Sequence, residues 1–126
     1  MAKIEILIGS EKFSAVLDEK SAPETVSKIV QALPIESSVN TWGEEIYFDI
    51  PVTMGHEKAV ETVKKGDLGY WPDGCCFCIF FGRTPITKSE DQIKPASAVN
   101  PIGRIERTNG LDKHRDGEPV RITLAP

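Results

Sequence analysis

Three cysteines within four positions, Cys75, Cys76 and Cys78, are the densest run of reactive side chains in the 126 residues. Thiolates bind zinc tetrahedrally and act as nucleophiles. Structural zinc sites, however, combine two separated pairs with Cys-x₂-Cys spacing. On a strand Cys76 and Cys78 share one face and Cys75 takes the other, so the three do not converge on one ion. The two histidines, His56 and His114, lie far away in sequence among polar neighbours. No metal and no other cofactor is expected. Cysteine also packs as a small hydrophobe, so structural, groove-lining and reactive thiols stay open as readings.

Other catalytic signatures are missing. There is no Gly-x-Ser-x-Gly elbow, no Gly-x-Gly-x-x-Gly fingerprint and no phosphate-loop Gly-Lys-Ser/Thr pattern. Glu44 and Glu45 are adjacent, but on a strand they point to opposite faces and make no carboxylate dyad. Glu45 could act as a general base only if burial raised its pKa. What remains is aromatic: Trp42, Tyr47, Tyr70, Trp71, Phe77, Phe80 and Phe81 include every tryptophan and tyrosine of the chain. Tyr and Trp join large apolar area to one polar handle and concentrate at binding surfaces. Trp42, Tyr70 and Trp71 stand beside turn residues Gly43, Gly69 and Pro72, where a groove wall and a core role are both open. Phe80, Phe81 and Phe48 read as core.

The elements that must carry these residues are mostly strands. Ile4, Ile6 and Ile8 alternate with Glu5 and Leu7, the period of a strand with one face on a core. Gly9 to Lys12 predicts a turn and Phe13 to Leu17 the returning strand. Ser21 three residues before Glu24 has capping-box spacing, and Pro23 suits a first helical turn. Val26, Ile29, Val30 and Leu33 then form one apolar stripe ended by Pro34. Ser37 to Trp42 and Glu44 to Ile50 predict two strands broken at Gly43. In the second, Glu44, Ile46, Phe48 and Ile50 share one face and Glu45, Tyr47 and Asp49 the other. Glu57 to Lys65, with Val60 and Val63 on one side and Gly66 as a stop, suggests a second helix. Leu68 to Trp71 and Cys76 to Phe81 flank a Pro72-Asp73-Gly74 turn, Thr84 to Pro101 is a long loop, and Ile102 to Glu106 and Pro119 to Leu124 end the chain. About eight short strands with frequent turns predict a mostly β fold, a closed antiparallel barrel capped by one or two helices.

Length predicts a single domain over residues 1–126. With 15 basic and 19 acidic residues the net charge is −4, which argues against nucleic acid and anionic membrane surfaces as partners. Arg104, Arg107, Lys113 and Arg115 are interleaved with Glu106, Asp112, Asp116 and Glu118. No apolar run approaches the roughly 18–20 residues of a membrane span, and Met1 to Ile6 lacks the core of a secretory signal. An odd number of crowded cysteines makes no secreted disulfide framework. The expected location is cytoplasmic, and the oligomeric state is not legible.

Thr41-Trp42-Gly43-Glu44-Glu45-Ile46-Tyr47-Phe48, Gly66-Asp67-Leu68-Gly69-Tyr70-Trp71-Pro72-Asp73-Gly74, Phe80-Phe81-Gly82-Arg83-Thr84-Pro85 and Pro95-Ala96-Ser97-Ala98-Val99-Asn100 together resemble a family of small microbial cyclophilin-like proteins. Phe13-Ser14-Ala15-Val16-Leu17 followed by Ala22-Pro23-Glu24-Thr25-Val26 is similar to the second strand and first helix of cyclophilins at large. The resemblance implies an eight-stranded antiparallel barrel capped by helices. Cyclophilins isomerise prolyl peptide bonds, whose uncatalysed barrier is about 18–20 kcal/mol, and use a groove arginine without any cofactor. The stretch matching the motif with that arginine is Trp42-Gly43-Glu44, which has none. An ionised carboxylate there accepts hydrogen bonds and cannot donate one. The matching glutamine- and phenylalanine-bearing run is Asp73 to Cys78, which would put Cys76 and Cys78 in groove positions.

The resulting expectation is a binding module for a small molecule or peptide. Its groove would be lined by Trp42, Glu45, Tyr47, Tyr70, Trp71, Cys76 and Cys78, with a cation as a sensible ligand. The alternative is a weak or atypical prolyl isomerase in which Arg83 or Arg104 reaches the groove. A hydrolase using Glu45, and an interaction role for the Thr84 to Pro101 loop, are further readings.

Overall fold

The isoleucine alternation at the N-terminus folds as its period requires. In the computed structural model, which describes residues 1–89 and 91–126, β1 (Ala2–Ile8) returns as β2 (Glu11–Leu17). Ile8 pairs with Glu11, so the turn is Gly9-Ser10 alone and Glu11 and Lys12 belong to the strand. Ile4, Ile6, Ile8, Phe13, Ala15 and Leu17 all point inward and are buried.

Helix α1 (Pro23–Ala32) follows, burying Thr25, Val26 and Ile29 and leaving Lys28 and Gln31 in water. Its start differs from the capping-box expectation. Ala22 is the N-cap and gives no side-chain cap. The orphan donors are met from a distance: the Glu57 carboxylate accepts from the backbone N–H groups of Glu24 and Thr25 at 3.0 and 2.8 Å, and from Thr25 Oγ1 at 2.7 Å. A carboxylate at that end also suits the helix dipole. Buried Asn100 completes the network, donating to Thr25 Oγ1 and to Gly55 O while accepting from the Glu57 N–H.

The remaining strands are β3 (Ile35–Ser38), β4 (Asn40–Thr41), β5 (Glu45–Asp49), β6 (Asp67–Trp71), β7 (Cys76–Phe80), β8 (Asn100–Ile105) and β9 (Pro119–Leu124). They form one antiparallel sheet in the order β3-β9-β1-β2-β8-β6-β7-β5-β4. The described residues form nine strands because the stretch read as one strand from Ser37 to Trp42 divides at Val39. Before it the chain pairs with β9, after it with β5. This change of partner brings the two ends of the sheet together into a nearly closed barrel. Backbone bonds between Val39 and both Gly117 and Glu118 hold the corner.

The second helix does not form. The segment Glu57 to Lys65 is irregular, bending at Lys58 and Glu61, with Val60 bridged to Val99 and Val63 to Ile93. A nine-residue stretch rich in β-branched side chains nucleates a helix poorly, and here its backbone groups find partners across a loop. The one α-helix of the described residues is therefore α1, with a 3₁₀ turn at Leu111–Lys113. The loop expected from Thr84 to Pro101 ends earlier, at Val99, because Asn100 and Pro101 already belong to β8. No helix of the described residues is long and apolar enough to cross a membrane.

Inside the barrel Ile46, Phe48, Leu68, Tyr70, Phe77 and Ile79 join the isoleucines of β1 in one core, with Phe48 stacked on Phe77 at 5.2 Å. A second, smaller cluster lies on the opposite side of the same sheet and holds Cys76, Cys78, Phe80, Val63, Ile93 and Val99.

Candidate functional site: an aromatic cavity around a buried carboxyl

The outer face of β5, β7 and β6 is where this second cluster meets solvent. Register sets its composition: Glu45 lies opposite Phe80, Tyr47 opposite Cys78 and Asp49 opposite Cys76, while Gly69 pairs with Cys78 and Trp71 with Cys76. Directly opposed residues share a face, so Glu45, Tyr47 and Trp71 project outward together over a floor of Cys76, Cys78 and Phe80. Above them sits a cavity of about 290 Å³ lined by Trp42, Glu45, Tyr47, Trp71, Pro95, Ala96 and Val99.

Each wall has a local cause. Trp42 and Glu45 exchange backbone hydrogen bonds at 3.0 and 3.2 Å across Gly43-Glu44. Gly43 has φ +60°, as the first central residue of a type II′ hairpin favours. A Cβ there would stand 2.8 Å from Arg83 O and Pro85 Cδ. Trp71 is held edge-to-face against Tyr47, with ring centroids 6.3 Å apart. Its indole N–H donates to Ser97 Oγ at 2.6 Å, and Ser97 in turn donates to Asp73 Oδ2 at 2.5 Å. The ring lies over Gly74, where a Cβ would run into it. Pro95 and Ala96 are fixed from behind by Thr84 Oγ1 donating to Lys94 O at 2.6 Å and the Lys94 N–H donating to Thr87 Oγ1 at 3.1 Å.

Glu45 is the one acidic or basic side chain among the described lining residues, and it is only 5% exposed. Burial pushes its carboxyl up to about 7, with the neighbouring Cys78 thiol pulling the other way. No cationic side chain of the described residues acts on it. Burial likewise raises the Tyr47 hydroxyl, with Cys76, Glu45, Asp116 and Cys78 adding to the effect. The Cys76 thiol is pushed up to about 12 by burial and by Asp49, whose Oδ1 is 3.3 Å from its sulfur. The Cys78 thiol is pushed well above its ordinary value by burial, then by Glu45. Both stay protonated near neutral pH and are poor nucleophiles.

Of the residues picked out in sequence, Trp42, Glu45, Tyr47 and Trp71 converge on the cavity. Cys76 and Cys78 lie beneath it without lining it. Tyr70 is turned the other way: it is fully buried in the barrel, donating to Val52 O at 2.6 Å and accepting from the Met54 N–H at 3.2 Å. Neighbouring strand residues face opposite sides, so Tyr70 and Trp71 do not share a pocket. Pro95, Ala96 and Val99 were missed as lining residues. Apolar residues in a loop carry no periodic signal, although they fall within the motif string from Pro95 to Asn100. Arg83 and Arg104 point elsewhere: Arg83 Nη2 donates to Thr87 O at 3.1 Å, and Arg104 pairs with Asp67 and donates to Lys65 O. Among the described residues, no group of three His, Cys, Asp or Glu side chains is placed to hold a metal ion.

A larger hollow of about 840 Å³ lies beyond the Val60 to Val63 segment, lined by groups such as Asp18, Lys64, Asp67 and Arg104. Its walls mix these charged groups with apolar side chains such as Val60, Val63 and Leu68, and its arginine is already paired.

The fold has counterparts among solved structures. The solution structure of the hypothetical protein AF2241 from Archaeoglobus fulgidus is similar over 98% of this chain and 95% of that one, with 45% identity and a TM-score of 0.83. McbB, solved in complex with tryptophan, is similar in fold at 15% identity and a TM-score of 0.66. The match covers 95% of this chain and 44% of that one. No curated protein matches. The model of the Cyclophilin-like family matches residues 2–123, and with the nine-stranded barrel this makes the chain a member of the cyclophilin-like family.

Proposed function

We propose that this protein is a binding module whose cavity on the outer face of β5, β7 and β6 holds a small molecule or the end of a peptide. The observation that carries the reading is Glu45, a buried carboxyl with no cationic neighbour among the described residues, set among the rings of Trp42, Tyr47 and Trp71. Apolar walls with few polar groups are the ordinary make-up of a ligand site, and this volume is at the low end of the usual range of roughly 300–1,000 Å³. It suits a single side-chain-sized group rather than a nucleotide. The chain has two tryptophans, and both line the cavity, so intrinsic fluorescence is a local reporter. A screen of amines and proline peptides should shift both the emission and the melting temperature. Emission and melting unmoved by every compound would remove the reading.

The alternative, a weak or atypical prolyl isomerase, lacks its usual donor, since no arginine is among the lining residues. It would have to use Glu45 in its protonated form as the donor. A protease-coupled assay on a proline tetrapeptide decides it: rates equal to those in buffer alone exclude it.

A further inference from the structure

The cavity combines three aromatic rings, an apolar loop wall and one acidic group that lacks a counter-charge among the described residues. Trp71 spends its indole N–H on Ser97, so it presents ring surface rather than a donor. Among the described residues, the groups facing Glu45 from every packed element are neutral or acidic. Tyr47 is on its own strand and Cys76 and Cys78 are on β7. Trp71 comes from β6, and Pro95, Ala96 and Val99 come from the loop. A neutral apolar ligand would fill the space yet leave the carboxylate desolvated and unpaired, which is costly. A cation met by a carboxylate and aromatic rings is stabilised by both.

Resting on the binding reading above, we propose that the ligand group is an alkylammonium cation, seated among Trp42, Tyr47 and Trp71 and paired with the Glu45 carboxylate. The cation displaces the Glu45 proton as it enters. One proton leaves the carboxyl for solvent, and the ligand keeps its own charge. Affinity therefore rises as pH is raised through the carboxyl's midpoint of about 7 and levels off above it. The source of the group is either a free amine or a lysine side chain of a peptide.

The test uses the full chain and Glu45→Gln, with tryptophan fluorescence and calorimetry as readouts. The probes are choline, its neutral carbon isostere 3,3-dimethylbutan-1-ol, and a terminally blocked lysine tripeptide. Choline should bind about tenfold or more tighter than the alcohol, with uptake of a proton by the buffer that approaches one below the midpoint and vanishes above it. In Glu45→Gln the advantage and the proton release should both disappear. Binding of the tripeptide in place of choline assigns the cation to a peptide and keeps the proposal. An alcohol that binds as tightly as choline overturns the cation and leaves the cavity reading intact. Failure of all three probes overturns the proposal. The wider screen then decides the cavity reading separately. Removing a buried charge should not prevent folding, and a retained melting transition for Glu45→Gln checks this.

Discussion

Ionising Glu45 places a negative charge on a face built from Phe80, Cys78, Trp71 and Val99, with no cation among the described residues to meet it. The consequence for stability has a definite sign. The carboxyl titrates near 4.5 when exposed and near 7 in the folded chain, so the folded state holds the proton more tightly. Stability is fully retained below the lower value, declines as pH rises between the two, and is lowest above the upper one. The difference amounts to roughly 3 kcal/mol at most. Urea unfolding of wild type and Glu45→Gln should therefore show the variant gaining on wild type between about pH 5 and pH 8. Parallel profiles would mean that Glu45 is solvated. The alternation of β5 was enough to place Glu45 and Tyr47 on one face in sequence, but not to say which face was covered. That depended on where the loop from Thr84 to Val99 folds back, a long-range packing choice with no local signal.

At the scale of elements, the cavity depends on two tight turns and one pinned loop. Gly43 lets the β4–β5 hairpin turn under Arg83 and Pro85, and Gly74 leaves room for the Trp71 ring. Gly74→Ala should push the indole off its seat and break its bond to Ser97 while the barrel core, on the other face of the sheet, keeps its packing. The expected outcome is a loss of ligand-induced fluorescence change, with a fall in stability of only about 1 kcal/mol. Unchanged titrations would show that the Trp71 position is not needed. Strand existence was legible almost throughout because period-2 patterns at Ile4 to Ile8 and Ile46 to Ile50 are local. The failures were also physical. Val60 and Val63 fit a helical spacing, but Val99 and Ile93 captured their backbone groups. Ser21 and Glu24 fit a capping box, but Glu57, 33 residues further on from Glu24, took the helix N-terminus.

For the molecule as a whole, the nearly closed barrel separates two functions between its two sides. The inner face of β5, β6 and β7 supplies core, and the outer face of the same strands supplies the cavity. Closure at Val39 and the clamp of His114 between Glu11 and Glu118, at 2.9 Å to each, hold the far side of the barrel. Hydrogen bonds from His114 keep both carboxyls below their usual range. The site can thus carry a poorly solvated acid because the rest of the structure fixes the sheet beneath it. Family membership was legible from motif strings spread along the chain, whereas ligand class depends on which side chains meet in space. The most direct test is the ¹³C resonance of the Glu45 side-chain carboxyl, assigned by its absence in Glu45→Gln and followed through a pH titration with and without saturating choline. A midpoint near 7 in the free protein, moving clearly downward when choline is bound, is the predicted result. A midpoint near 4.5 that ignores choline would contradict it.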